Sequence, residues 1–156
     1  MLDDVASPEQ IAEVLSLMGY ESSVLDGNAV VNLNVRGRKF PTIFHASKDG
    51  RELLITCHIA SVADGGETAE QQANFLYNCL DMNDQLAPYA TAIIKADDLE
   101  GDSVQEGDAP VIALVDRVPV GDFSTAELHY SMESLRRAIL TAMDRLAAIV
   151  QQNKSR

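Results

Sequence analysis

The chain has 156 residues, 46% of them apolar, which suits one domain with an ordinary aliphatic core and no disulfide staples. Its formal net charge of −12, from 24 acidic and 12 basic side chains, argues against nucleic acid or an anionic membrane as a partner. No apolar run approaches the roughly 20 residues of a membrane helix, and the acidic start Met1-Leu2-Asp3-Asp4 has no apolar signal stretch, so a cytoplasmic home with reduced thiols at Cys57 and Cys79 is expected.

The first expected helix starts at Ser7-Pro8-Glu9-Gln10. Ser7 can cap, Pro8 suits the first helical position, and Gln10 closes a capping box. Ile11, Val14, Leu15 and Met18 form its apolar stripe, and Gly19 stops it.

Strands joined by tight turns follow, near 21–26, 28–36, 38–47 and 51–61, with turn signals at Asp26-Gly27-Asn28, Arg36-Gly37-Arg38 and Lys48-Asp49-Gly50-Arg51. A two-residue loop at Asp49-Gly50 pairs positions that sum to 99, so Phe44 faces Ile55, Thr42 faces Cys57 and Phe40 faces Ile59. The Gly37 turn adds Val31, Leu33 and Val35 to that side, and the first turn adds Val24. This is the expected core face. The opposite face carries Leu25, Val30, Asn32, Asn34, Ile43, His45, Leu54, Thr56 and His58. It is mixed, and apolar enough to imply a covered or contacted surface.

Thr68 with Gln71 predicts a second helix that ends before Pro88. In it Phe75, Cys79, Met82 and Leu86 form an apolar stripe, while Asn74, Asn78, Asp81 and Asp84 form a polar one. Asn83 falls on the less polar side near the helix end and is expected to satisfy backbone groups there. Two strands near 89–96 and 110–118 come next. The second, Val111 to Val115, is apolar on both faces, as a central strand is. Between them Asp97 to Ala109 reads as a mobile acidic loop. Ser124 and Glu127 then cap a long helix with Met132, Leu135, Ile139, Met143, Leu146 and Val150 on one side, although Ser131 offers a second starting point.

The order is helix, β-meander, helix, two strands, helix. It predicts an α+β fold, an antiparallel sheet with helices on one face, α-β(3–4)-α-β-β-α, as a single domain over 1–156. An edge strand and one mixed face remain for a second copy or a partner to cover.

Catalytic and metal chemistry find little support. Cys57 and His58 are strand neighbours and point to opposite faces. His45 and His58 share a face but lie about four residues apart along the sheet, on the order of 13 Å, too far for one zinc ion. The acidic loop, read from Asp98, has Ser103 where a calcium loop needs glycine and Ala109 where it needs glutamate. The common nucleotide, hydrolase and metalloprotease motifs do not occur. No catalytic residue, metal ligand or cofactor is expected.

The order of elements, with Met82-Asn83 near the middle helix end, then Pro88-Tyr89-Ala90, the strand Val111 to Val115 and the segment Ser134 to Leu140, resembles the type III secretion chaperone-like superfamily, and within it the YbjN-type proteins. The resemblance implies a small acidic homodimer that binds a segment of a client protein and has no enzymatic activity. Leu25, Val30, Ile43 and Leu54 are the residues expected at the partner or dimer surface. The alternative is a small-ligand-sensing or regulatory module of a signalling pathway, which requires an apolar pocket instead of an open face.

Overall fold

The computed structural model describes residues 7–95 and 110–154. The expected acidic loop from Asp97 to Ala109 lies outside the described residues. The elements are α1 (Pro8–Leu17), β1 (Glu21–Leu25), β2 (Asn28–Val35), β3 (Arg38–Ala46), β4 (Glu52–Ser61), α2 (Ala69–Asp81), β5 (Ala90–Ile94), β6 (Val111–Pro119) and α3 (Thr125–Lys154). Short 3-10 turns join several of them, at Val62–Gly65, Met82–Gln85 and Val120–Asp122.

Local chemistry sets the helix starts. The Ser7 hydroxyl accepts from the Gln10 N–H while the Gln10 side chain accepts from the Ser7 N–H, and Thr68 with Gln71 repeats the arrangement. Ser124 and Glu127 do the same for α3, which runs unbroken for 30 residues. Ser131, the other possible start, is buried within it. The hairpin turns are equally local. Asp26-Gly27 and Arg36-Gly37 each place both residues at positive φ, the geometry whose twist matches paired strands.

The six strands form one antiparallel sheet in the order β1-β2-β3-β4-β6-β5. Thr42 pairs with Cys57 and Phe44 with Ile55, as the turn spacing predicts. The ladder between β3 and β4 runs from Thr42 to Ala46, so Phe40 and Ile59 lie beyond it. The last two strands do not extend the meander in sequence order. β6 sits between β4 and β5, and a bulge between His58 and Ala60 adjusts its register.

Ala29, Val31, Leu33, Val35, Phe44, Ile55, Cys57 and Leu114 are fully buried on one sheet face, beneath all three helices. Ser22 on that face donates to the Ala12 carbonyl of α1, and Thr91 meets the Cys79 carbonyl of α2. The Tyr89 hydroxyl donates to the Ser131 carbonyl of α3. Val24 pairs with Ala29 on this side as predicted, yet stays 40% exposed because β1 is an edge strand. Burying this aliphatic layer drives folding, at about 25 cal/mol per Å² of apolar surface removed from water.

Candidate functional site

Among the described residues the other sheet face carries no helix. Strand alternation puts there every second residue, and one row crosses all six strands: Ser23, Val30, Ile43, Thr56, Val115 and Ala90. Val30 and Ile43 are direct partners and half-buried, while Thr56 is buried between Ile43 and Val115. On one side of this row, Leu54 pairs with both His45 and Arg117. On the other, His58 pairs with Ala113, which pairs with Ala92. The apolar ground of this face therefore lies over β3, β4, β6 and β5. Its β1–β2 corner, where Glu21 pairs with Asn32, is polar.

The structure brings three of the four expected surface residues together: Val30, Ile43 and Leu54. Leu25 stands apart. It pairs with Asn28 at the free edge, is 62% exposed, and is separated from Leu54 by β2 and β3. The Asn28 side chain hydrogen-bonds to His45 at 2.9 Å, and this polar pair interrupts the apolar surface. Val115, Ala113, Ala90 and Ala92 extend the face beyond the sequence-derived set. The apolar run Val111 to Val115 is their only sequence signal, because the place of β6 in the sheet is a long-range choice.

His58 is the unusual group here. Its Nε2 is shielded from solvent and has no hydrogen-bond partner among the described residues, and burial lowers the imidazole pKa below its ordinary 6.5. On the helix side, burial raises both thiols. Cys57 is pushed up to about 11 against a hydrogen bond from Thr42, and Cys79 to about 11 against the charge of Arg145. Such thiols stay protonated and are poor nucleophiles. The Tyr89 phenol is raised well above its ordinary value, first by burial and then by Asp116 and Cys57. Among the described residues no group of three or more His, Cys, Asp or Glu side chains is placed to hold a metal ion. No helix among them is long and apolar enough to cross a membrane.

The polar cluster of α2 is a structural joint. Arg145 of α3 donates to Asn78 Oδ1 from Nε at 3.2 Å and from Nη2 at 3.0 Å, and pairs with Asp81. Cys79, between them in sequence, points into the core. Asn83 does satisfy a backbone group, but not at the end of its own helix. Its Oδ1 accepts from the N–H of Thr91 in β5, because the 3-10 turn after α2 carries it over that strand.

No protein-family model matches the sequence, and no curated protein matches it. Among solved structures, the chain is similar to an uncharacterized protein from Methanothermobacter thermautotrophicus, with 14% identity and a TM-score of 0.56 over 92% of this chain and 96% of that one. It is also similar to the Yersinia pestis type III secretion chaperone SycH, crystallised in complex with a stable fragment of YscM2. The identity there is 15% and the TM-score 0.48, over 86% of this chain and 98% of that one. At 14% identity, the likeness to the Methanothermobacter protein is one of fold, an α+β chain with helices on one face of an antiparallel sheet.

Proposed function

We infer that this is a non-enzymatic, chaperone-like protein-binding domain, a homodimer of the YbjN type that holds a segment of another protein. The observation that carries the reading is the helix-free sheet face. A row of Val30, Ile43, Thr56, Val115 and Ala90, with Leu54 beside it, gives an apolar strip across five strands, rimmed by Glu21, Lys39, Glu52 and Arg117. An apolar centre inside a charged rim is how protein interfaces are built. The thiols, with their raised pKa values, give no competing chemistry.

The face is occupied either by a client segment or by a second copy. Ile43→Asp and Leu54→Asp place an unpaired charge in the strip without entering the core. The reading predicts that these variants keep the wild-type circular dichroism but lose the dimer, the bound client, or both. Light scattering gives the mass, and photo-crosslinking from position 43 gives the neighbour. A wild-type mass together with an undiminished set of crosslinks in Leu54→Asp would sink it.

A further inference from the structure

A second feature lies away from this face. At the end of β4 and beneath the C-terminal half of α3 there is an open groove of about 710 Å³, within the size range of small-ligand sites. Its floor is Phe75, Ile59 and Leu146, all buried, and Met143 and Val150 form a wall. The α3 residues recur at positions 142, 143, 146, 147, 150, 151 and 154, which is one continuous helical stripe. The packing behind the floor is close: a Cβ at Gly65 would sit 2.7 Å from Phe75, and Asn153 Nδ2 donates to the Gly65 carbonyl at 2.6 Å.

The rim differs from the rest of the molecule. In a chain of net charge −12, this groove is edged by two cations, Arg38 and Lys154, and by one carboxylate, Asp64. Asp64 is engaged, accepting from the Ser61 N–H at 2.8 Å. Among the described residues neither Arg38 nor Lys154 enters an ion pair. The Arg38 guanidinium stacks 5.2 Å from the centre of the Phe40 ring, which holds it in place. Two cations above an aliphatic channel complement a hydrocarbon chain ending in an anion.

We propose that this groove binds an aliphatic carboxylate. The chain lies along Phe75, Ile59 and Leu146, and its head group meets Arg38 and Lys154. The site is separate from the sheet face and does not depend on it.

The test is calorimetric titration of the full chain at low salt with dodecanoate, and with dodecyltrimethylammonium as the charge-reversed probe. The protein's overall charge attracts the cationic amphiphile, so preference for the anion reports the groove and not general surfactant binding. The expected result is one saturable dodecanoate site per chain, with Kd on the order of 10 μM, and ammonium binding at least about tenfold weaker. Decanoate binds roughly fifteenfold more weakly than dodecanoate, since each of the two buried methylenes it lacks contributes about fourfold.

Ala147 is exposed on the groove wall, so Ala147→Trp fills the channel without disturbing the core and abolishes binding. Arg38→Gln with Lys154→Gln weakens dodecanoate about tenfold and leaves the ammonium probe unchanged. Ile43→Asp leaves dodecanoate binding intact. Equal affinity for both amphiphiles overturns the proposal, as does dodecanoate binding that survives Ala147→Trp. So does an absence of dodecanoate binding, and a change of oligomeric mass in Ala147→Trp beside it makes the groove a contact between chains.

Discussion

Asn83 Oδ1 lies 2.8 Å from the backbone nitrogen of Thr91 and 2.9 Å from its hydroxyl, and the same hydroxyl lies 2.9 Å from the Cys79 carbonyl. One side chain thus ties the end of α2 to β5. Among the described residues β5 pairs only with β6, and Asn83 supplies the acceptor for the Thr91 N–H on the other edge.

Replacing that acceptor leaves a part-buried donor unsatisfied. Asn83→Leu is expected to destabilise by about 1–3 kcal/mol. Asn83→Asp keeps the acceptor and loses less. Urea midpoints of the two variants check this, and an unchanged midpoint for Asn83→Leu contradicts it.

Gly65 is required by contact, not by backbone angle. A Cβ there meets Phe75 Cβ at 2.7 Å and Cγ at 2.8 Å, and Phe75 is fully buried. Gly65→Ala is expected to cost about 1–3 kcal/mol through overpacking. A Cβ at Gly121 would meet nothing within 4 Å, so Gly121→Ala serves as the neutral control in the same denaturation series.

Arg145 holds Asn78 and Asp81 at once, with side chains 30% and 49% exposed at the Arg145–Asp81 pair. Partial exposure limits the ion pair, so a double-mutant cycle of Arg145→Met with Asp81→Asn should give a coupling of about 0.5–1 kcal/mol. Arg145→Lys does not restore it, because an ammonium cannot span both acceptors as the guanidinium fork does. Full rescue by lysine would contradict this geometry.

His58 links stability to pH. Its folded pKa lies below the ordinary 6.5 because burial removes water from the imidazole and so disfavours its charged form. The unfolded chain therefore takes up a proton at higher pH than the folded one does. The folded state is undisturbed above pH 6.5 and loses stability as the pH falls below it. The stability difference between His58→Leu and wild type should grow in favour of the variant from about pH 8 to about pH 5. A constant difference across that range overturns the assignment.

Both cysteines should be silent to a thiol reagent in the native state. Burial raises each pKa to about 11, so thiolate is scarce at neutral pH and access is closed. Labelling with an aromatic disulfide should therefore follow the unfolding transition in urea. Fast labelling without denaturant contradicts the burial of Cys57 and Cys79.

Whatever depends on near neighbours along the chain was legible from residue order. Each capping box joins residues three positions apart, and Ser7–Gln10, Thr68–Gln71 and Ser124–Glu127 all form as read. The turns at Gly27 and Gly37 and the 99-sum register of β3 with β4 follow from turn geometry and period-two alternation. Val30 and Ile43 were thereby legible as neighbours on one face.

The remaining features come from long-range packing. It inserts β6 between β4 and β5, and so carries the apolar strip through Val115 to Ala90. It brings Arg145 to Asn78 and Asp81 across more than sixty residues, sends Asn83 to β5, and opens the groove between α3 and Ile59. These contacts join distant segments. No local propensity encodes them, because they arise when separate apolar faces are buried against one another in a single core.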